Sequence, residues 1–511
     1  MHQLLENLSG NGMGLLIPLG LSWLIWTILL PKQQYRGKLF NDRARFEWFY
    51  TKARRRFLEN GGVILNNAFK KSENSFYVMT SREVEIVLNP KYMNEVRNDD
   101  RFAVTERVDQ LLHGDVPGFG IIKHSAQTHK IFSNTFQSRV VREIGTFLVP
   151  IFEEIDHFLE TQWTDNEEWH AFSLHPSMVQ LVSQESTRLF LGPEMCRDAH
   201  WLQASVKYIQ SFFMGIDLLD SWRPIFRPLV SKFSKTGKQI RSDLAEARQI
   251  LSPFIADRQA RKAKGEKFND LLQWFDDAAR GAEYDAPLLI LRSSMAAVHS
   301  TSDLLTKAIF EICTQPGLID DIREEAIRVF KEHGLRQTAI QELRLTDSVL
   351  KETQRLKPLQ TTAFIRLTKE DVVLSDGLEI PKGTPIRISN HHMWDPEVSE
   401  YPNADQFDGY RFYKLRQVPG QEQTAQLATV SPSHTGFGLG KHACPGRFFA
   451  ATATKVILCK ILLDYDLKLL DGQRPKTMWR GDAQVPDPMC QIVVRRRKEE
   501  FNLSSLLHDV K

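Results

Sequence analysis

Residues 437–446 read FGLGKHACPG and place one cysteine, Cys444, at the end of a glycine-rich loop. Gly438 and Gly440 allow the backbone to turn sharply and to approach a flat ligand closely. A helix is predicted over residues 445–463, with its proline tolerated in the first turn. The sulfur is therefore expected near the positive end of a helix dipole, which favours thiolate over thiol.

Spacing separates this loop from other ligand-binding motifs. A dinucleotide fingerprint built on its glycines would need a further glycine at Lys441, and a phosphate loop would need glycine at Thr435 and a hydroxyl residue at His442. Zinc ligation by His434, His442 and Cys444 lacks any paired-cysteine spacing. The remaining alternative is a buried free cysteine in a glycine-rich turn.

The loop resembles the cysteine loop of the cytochrome P450 superfamily, which runs Phe, two residues, Gly, one residue, Arg, one residue, Cys, one residue, Gly. The matching residues are Phe437, Gly440, Cys444 and Gly446. His442 stands at the arginine that usually contacts a haem propionate. The resemblance implies haem b with the Cys444 thiolate as axial iron ligand. Its other contacts in the loop are expected to be Phe437, Gly440, His442 and Gly446. It also implies a mainly α-helical fold with small β-sheets, preceded by one N-terminal transmembrane helix.

A Glu-x-x-Arg pair precedes the loop in family order. Glu352 and Arg355 stand three residues apart on a predicted helix, so they can pair on one face. The resemblance adds Arg411 from FDGYRF as the third member of a buried triad that holds the cysteine loop and the haem. An exposed helical salt bridge explains such a pair equally well when it stands alone. The order of the pair, the IPKGT turn, FDGYRF and the cysteine loop favours the triad.

A third motif, SMAAVHSTSDLL at 294–305, aligns with the oxygen-binding helix of the family. The resemblance implies that Thr301 donates a hydrogen bond to dioxygen. Ser300 stands where an acid usually relays protons, so we expect proton delivery through ordered water, Ser300 and Thr301. Asp303 is expected to point away, and His299 to be a packed histidine rather than an iron ligand. The alternative for Thr301 is a hydroxyl bonded to its own helix backbone.

Haem propionates need basic partners, and the Trp-x-x-x-Arg signature that usually supplies them is absent. The segment KHSAQTHKIF offers Lys123, His124, His129 and Lys130 instead, of which His129 and Lys130 are our candidates. The substrate pocket is expected to be mainly apolar, although each wall residue is also an ordinary core candidate. The pocket candidates are Phe119, Phe212, Ala297, Phe364 and Met489.

Strand-like runs flank the helical region. VILNNAF, SFYVMTS and the start of REVEIVL predict strands between residues 62 and 89, and apolar spacing predicts helices over 123–333. DGLEIPKGTPIRI predicts a hairpin that turns at residues 381–383. DLKLL and CQIVVRRR predict a terminal hairpin.

Composition sets outer limits on function. The chain has 511 residues and a net charge of +3, which gives no electrostatic case for nucleic-acid binding. Five cysteines are too few and too sparse for a disulfide scaffold and favour a reducing compartment. The absence of a low-complexity linker predicts one haem-thiolate domain at 61–498, after a linker at 32–60 and before a tail at 499–511.

The N-terminus predicts a membrane anchor at residues 1–31. Residues 13–30 are uncharged and mostly apolar, which is just long enough to cross a bilayer as a helix. Basic residues follow this stretch, so the positive-inside rule predicts a single-pass protein of the endoplasmic reticulum with its catalytic domain in the cytosol. A cleaved signal peptide is the alternative, but it lacks the usual basic start and small residues at a cleavage site.

The resemblance is nearest to fungal microsomal oxidases of secondary metabolism. It implies a monooxygenase that oxidises a bulky hydrophobic metabolite, a terpenoid in particular, with dioxygen. No flavin or nicotinamide fingerprint is present, so NADPH-cytochrome P450 reductase is the expected electron donor, with cytochrome b5 as a second candidate partner. The alternatives are a haem-thiolate isomerase or peroxide-rearranging enzyme and a non-enzymatic haem sensor.

Overall fold

The computed structural model describes residues 37–72, 75–123, 126–471, 473, 475–498, 501, 503 and 505. Contacts gather the chain from residue 40 onward into one compact unit, and of the other unit, residues 1–39, only 37–39 are described. The predicted membrane anchor at 1–31 therefore lies outside the described residues. Among the described residues, none of the helices has both the length and the apolar character that a bilayer crossing requires.

Helices form most of the compact unit. The first eight are α1 (Thr51–Phe69), α2 (Met93–Val96), α3 (Thr105–Leu111), α4 (Ala126–Asn134), α5 (Val141–Glu143), α6 (Leu148–Phe158), α7 (Leu174–Leu191) and α8 (Ala199–Asp220). They are followed by α9 (Arg227–Phe233), α10 (Lys235–Ala263), α11 (Leu271–Ala279), α12 (Ala286–Ile312), α13 (Leu318–His333), α14 (Gln337–Glu342), α15 (Arg344–Leu356), α16 (Arg411–Leu415) and α17 (Arg447–Asp464). The predicted linker thus contains the start of α1.

The strands are short and form small sheets. They are β1 (Leu39–Phe40), β2 (Ser75–Met79), β3 (Val84–Leu88), β4 (Phe102–Ala103), β5 (His170–Ser173), β6 (Thr362–Thr368), β7 (Val372–Val373), β8 (Glu379–Ile380), β9 (Pro385–Ser389), β10 (Tyr465–Leu469), β11 (Thr477–Arg480), β12 (Ala483–Pro486) and β13 (Gln491–Arg496). The main sheet has the order β1-β2-β3-β9-β6-β4, and the smaller sheets are β10-β13-β5, β11-β12 and β7-β8. The prediction of a mainly helical fold with small sheets is confirmed.

The long helix α12 runs through the core. Asp285 caps its start by accepting a hydrogen bond from the Leu288 backbone N–H at 3.1 Å, and Pro287 occupies the first turn. The helix packs against α7, α15 and α17. Since α17 begins three residues after Cys444, this packing ties the helix that carries Thr301 to the cysteine loop.

One strand prediction near the N-terminus is wrong. SFYVMTS and REVEIVL contain β2 and β3, as predicted, but VILNNAF lies inside α1. Buried residues of α1 recur at helical spacing, as Gly61, Gly62, Leu65 and Ala68. The glycine pair resembles a break before a strand, yet a Cβ at Gly61 would collide with the backbone of Gly481 in the β11–β12 turn. The glycines therefore permit close packing inside a helix.

The predicted hairpin at 376–388 has the right turn and the wrong pairing. Gly383 makes the turn with a φ of +75°. However, β8 pairs with β7, and β9 enters the main sheet between β3 and β6. Four of the five residues of β9 are buried, as a strand inside a covered sheet requires. The terminal hairpin prediction is confirmed, because β10 and β13 pair antiparallel.

Candidate active site

The cysteine loop is held in a tight curve. Gly438 and Gly440 have φ values of +75° and +73°, a region that disfavours other residues. A Cβ at Gly440 would meet the Asn98 side chain. The Cys444 backbone N–H donates to the carbonyl of Phe437 at 2.8 Å and closes the loop just before α17. The sequence therefore places the thiol at the mouth of a helix, as expected.

The accessibility of Cys444 differs from that of the other cysteines. A solvent-sized molecule can reach Cys444, whereas three other cysteines are buried. The surrounding protein nevertheless keeps the sulfur from bulk water, and this burial raises the pKa of its thiol. Backbone N–H groups of Gly446 and Arg447 form hydrogen bonds to the sulfur and oppose that shift. Such donors stabilise a thiolate, which is the form that binds metal ions.

The structure brings Glu352, Arg355 and Arg411 together in the core. Arg355 makes two parallel bonds to the Glu352 carboxylate, at 2.7 and 2.8 Å, and Arg411 Nε lies 3.1 Å from both carboxylate oxygens. Arg355 also donates to the carbonyl of Ala404 at 2.6 Å. The Glu352 carboxylate accepts a bond from the Asp408 backbone N–H at 3.0 Å. Paired in this way, the buried charges fix the chain that leads toward the cysteine loop.

Sequence reasoning missed a second buried anchor on α15. The Lys351 ammonium donates to the carbonyls of Thr424, Gln426 and Thr429 at 2.7–3.1 Å. Three carbonyl acceptors match the three N–H bonds of an ammonium group. Burial lowers the pKa of Lys351 to about 7, but these bonds favour its charged form. The signal was the unbroken polar run KETQR in a helix flanked by core residues.

A buried cation on β6 was also missed. The Arg366 guanidinium donates to the carbonyl of Ile365 at 3.0 Å, and no carboxylate among the described residues pairs with it. Burial alone lowers its pKa to about 10. The β6–β9 register shifts between Ala363 and Arg366, and Phe364 inside this bulge has a φ of +55°. Buried and half-buried residues nevertheless alternate along β6, so Arg366 lies on its buried face, beside the Phe364 ring at 5.4 Å.

Arg366, His442 and His129 form a basic cluster. Burial lowers the pKa of His442 to about 4, and the positive charges of Arg366, Lys441 and His129 add to that shift. Lys441 is engaged by Asp100, and Lys130 is exposed on α4 outside the cluster. Arg366 is the buried cation of this cluster, whereas the two imidazoles are uncharged at neutral pH and can donate a ring N–H; such donors suit the carboxylate of a haem propionate.

The side-chain hydroxyls of α12 differ in whether they donate to the helix backbone. The hydroxyls of Ser293, Ser294, Ser300, Ser302 and Thr306 each donate to the carbonyl four residues earlier, at 2.6–3.1 Å. Thr301 alone among the described hydroxyl residues of this helix has no such bond. The backbone-bonded state that is the alternative for Thr301 is thus adopted by Ser300 and not by Thr301.

The predicted pocket residues are only partly brought together. The Phe119 and Phe212 rings lie 5.1 Å apart, and both are buried. Ala297 is half-buried on α12, and Phe364 is buried in β6. Met489 does not join them, because it is 75% exposed in the turn before β13, where its N–H bonds to the Asp487 side chain. This turn places its side chain in solvent.

These features fit a haem. The amide donors at the sulfur suit a thiolate ligand, and Arg366 supplies a positive charge for a propionate, beside two imidazoles that can donate hydrogen bonds. His124, another propionate candidate, lies outside the described residues.

Comparisons with known proteins agree with this geometry. The family model described as Cytochrome P450 matches residues 49–491. Cytochrome P450 monooxygenase esdpI of Penicillium shearii is 43% identical and covers 95% of this chain and 97% of its own length. Cytochrome P450 monooxygenase cle2 of Aspergillus versicolor is 42% identical and covers 98% of this chain and 96% of its own length. Cytochrome P450 monooxygenase pyr3 of Aspergillus fumigatus is 39% identical and covers 96% of this chain and 94% of its own length. With the cysteine loop, the buried triad and these relatives in agreement, the chain belongs to the cytochrome P450 family and is a cytochrome P450 monooxygenase.

Proposed function

We propose that this monooxygenase oxidises a bulky hydrophobic secondary metabolite, a terpenoid in particular. The observation that carries the proposal is the Cys444 thiol, which is accessible at the end of the glycine-rich loop and accepts backbone hydrogen bonds. Haem bound there through a thiolate supplies the chemistry that activates dioxygen and inserts one oxygen atom into a C–H bond. Cys444 is the proposed iron ligand, and Phe437, Gly440 and Gly446 line its loop.

The basic cluster and the triad have separate proposed roles. Arg366, His442 and His129 bind the propionates and so fix the orientation of the cofactor. Glu352 and its two arginines hold the chain before the loop and take no part in chemistry. Thr301 donates its unengaged proton in the pocket, and Ser300 lies beside it on α12.

An apolar wall supports a hydrophobic substrate. Phe119, Phe212 and Phe364 are buried aromatic residues on three different segments. Each offers a large apolar surface and no charge, so a ligand gains mainly from removal of its apolar surface from water. The resemblance of α12 to fungal oxidases of gibberellin precursors and indole diterpenes favours a terpenoid.

Contact with the endoplasmic reticulum membrane is part of the proposal. Around the end of α8 and in α9, large apolar side chains are exposed, including Met214, Ile225, Leu229 and Phe233 at 55–65%. A patch of this kind supports docking on a lipid surface. The proposed single N-terminal anchor would keep the catalytic domain on the cytosolic side, where the reductase and cytochrome b5 can reach it.

Two measurements test the function. Apolar terpenoids screened against the purified protein should produce a low-spin to high-spin shift. The substrate found in this way should then be oxidised with consumption of NADPH and dioxygen only when NADPH-cytochrome P450 reductase is added. Turnover without a reductase would instead identify an isomerase or a peroxide-rearranging enzyme, and the absence of turnover with every bound ligand would support a sensor.

A further inference from the structure

Exposed and shielded side chains are exchanged in the segment that joins α8 to α9. Trp222, Ile225 and Phe226 are 40–61% exposed, whereas Arg223 and Arg227 among them are half-buried. On a surface that faces water, arginine side chains are usually more exposed than large apolar ones. The reversed order is typical of a surface that meets lipid, where apolar side chains enter the bilayer and cations stay at the level of the headgroups.

Four arginines from separate parts of the chain meet at the end of α8. They are Arg54, Arg82, Arg223 and Arg227, and we call them the arginine cluster. Arg82 Nε donates to Asp220 Oδ2 at 2.5 Å. Arg227 Nε donates to the carbonyls of Leu219 and Trp222 at 3.0 and 3.1 Å, beside the turn that carries Asp220. Electrostatic interactions with Asp220 and Arg223 place Arg54 of α1 in the same cluster.

Both carboxylates near the arginine cluster are engaged by other side chains as well. Asp220 also binds His113 Nε2 at 3.0 Å, and Glu83 accepts a bond from Arg107 Nη1 at 2.7 Å. Arg54 forms no ion pair with a carboxylate of the described residues, and its buried Nε has no hydrogen-bond partner among them. Buried N–H groups nearly always have partners, so this one indicates an acceptor that these residues do not supply.

Positive charge in the arginine cluster is not fully balanced. Burial lowers the pKa of Arg54, and the charge of Arg223 adds to that shift. Burial also lowers the pKa of Arg227, where Asp220 opposes the shift but two other arginines of the cluster add to it. An anion among these groups would relieve their mutual repulsion. Phosphate suits the position, because its oxygens pair with the planar fork of a guanidinium group through two parallel hydrogen bonds.

We propose that the arginine cluster binds the phosphate of an anionic phospholipid, whose acyl chains lie on the exposed apolar side chains next to it. The inference rests on the proposed function, because it gives the proposed membrane contact a lipid class and a binding site. Ile225, Leu229 and Phe233 follow one another at four-residue spacing and are 55–65% exposed, so they offer an apolar face for an acyl chain. Charge favours phosphatidic acid over phosphatidylcholine, since the cluster would repel the ammonium group of phosphatidylcholine.

Native mass spectrometry of the full-length haem protein in a neutral detergent counts the lipid that stays bound. Equal amounts of phosphatidic acid, phosphatidylcholine and oleic acid are offered together. We expect phosphatidic acid to be retained in preference to either competitor by about tenfold or more, because a charge-assisted hydrogen bond contributes at least that factor. Equal retention of the three lipids would overturn the proposal.

Two substitutions locate the site. Arg54→Gln and Arg223→Gln each remove one guanidinium group, so the occupancy by phosphatidic acid should fall about tenfold or more in each. Should Arg54→Gln fail to incorporate haem, Arg223→Gln decides, because it lies in the connection between two helices. If the folded cluster variants retain phosphatidic acid as the unaltered protein does, the site is refuted.

Arg55→Gln is the matched control. Arg55 neighbours Arg54 on α1 but forms an exposed pair with Glu59 at 2.7 Å. Its replacement should change the occupancy by about twofold at most, since exposed ion pairs contribute little. A loss as large as that in the cluster variants would mean that general surface charge holds the lipid, which contradicts a defined site.

Inorganic phosphate separates the lipid from the free ion. An excess of inorganic phosphate should leave phosphatidic acid bound, because the acyl chains add apolar contacts that the ion lacks. Complete displacement would identify the free ion as the ligand and overturn the lipid assignment. Retention of phosphatidic acid by a protein that oxidises no terpenoid would count against the proposed function alone, whereas normal oxidation without retained lipid would count against this site alone.

Discussion

Arg366 carries a buried positive charge that no carboxylate of the described residues balances. Leaving such a charge unpaired costs several kcal/mol, and an anionic ligand recovers this energy. The protein alone therefore holds Arg366 in a state that is favourable only when a carboxylate binds.

Replacement of Arg366 should weaken haem binding. We expect Arg366→Met to lose haem to apomyoglobin about tenfold faster or more, because a charge-assisted hydrogen bond contributes about 1.5–3 kcal/mol. Arg366→Lys keeps the charge but not the planar guanidinium group. Its rate of haem loss should lie between those of the unaltered protein and Arg366→Met. Retention of haem by Arg366→Met at the unaltered rate would remove the guanidinium from the propionate site.

Thr301 allows a comparison between neighbouring hydroxyls. Thr301→Ala should retain haem and the carbon monoxide spectrum that thiolate ligation gives. It should divert electrons from NADPH to hydrogen peroxide, because the variant lacks the hydroxyl that is not bonded to the backbone. Ser302→Ala, whose hydroxyl bonds to the Val298 carbonyl at 2.7 Å, should couple normally. The amount of product per NADPH measures both, and equal coupling in the two variants would exclude Thr301 from proton delivery.

Among individual site residues, the sequence predicted those that belong to contiguous motifs. Cys444 and the Glu352 pair follow from local spacing. Arg366 has the same parity as the buried residues Thr362 and Phe364 of its strand, so alternation alone indicates an inward cation. Met489 stands two residues before the last strand, and only the three-dimensional turn shows that it faces solvent.

Among the elements, α15 is unusual because its polar residues are buried. It carries the Glu352–Arg355 pair, and Lys351 beside that pair binds three carbonyls. Asp347, one turn earlier, pairs with Lys455 of α17 at 2.6 Å and accepts a bond from the Leu427 N–H at 2.7 Å. One helix thus anchors the segment before the cysteine loop and the helix after it. Sequence spacing indicated the pair but not these partners, which lie 73 or more residues away.

Close packing of α1 against the β11–β12 hairpin can be tested at Gly61. Gly61→Ala should lower the free energy of unfolding by about 1–3 kcal/mol, because the new methyl group collides with the backbone of Gly481. Gly145→Ala is the control, since its Cβ would meet only Gln337 at 3.8 Å. Chemical denaturation measures both, and equal stability of the two variants would argue against the packing.

Across the whole molecule, the end of α8 is fastened to other segments by buried charges. Asp220 binds His113 Nε2 at 3.0 Å and Arg82 Nε at 2.5 Å. Burial raises the pKa of Asp220, but His113 and Arg82 outweigh it and hold the pKa below its usual value. Ionisation of Asp220 therefore stabilises the fold above the unfolded pKa of about 4, and this contribution is lost as pH falls through the folded pKa.

Loss of this contact should loosen the segment after α8. Asp220→Ala should lower stability by about 3–5 kcal/mol, because it leaves the partner cation buried without its acid. Limited proteolysis should then cut residues 221–234 faster. The control is Asp257→Ala, since Asp257 forms only an exposed pair with Arg261 at 3.6 Å. Equal cleavage in both variants would show that the contact does not restrain the segment.

The fold as a whole was predictable from the order of its motifs rather than from periodicity. Helical spacing identified the region from 123 to 333, and the motif order supplied the family architecture. Strand partners such as β9 between β3 and β6 depend on contacts some 300 residues apart, which local patterns do not record. The membrane anchor at 1–31 stays a prediction.

A difference spectrum of the reduced protein with and without carbon monoxide tests the central assignment, the bond between Cys444 and haem iron. The protein should show the red-shifted Soret band of thiolate ligation, and Cys444→Ala should lose that band altogether. An unshifted band in the unaltered protein, or the same red-shifted band in Cys444→Ala, would contradict the assignment.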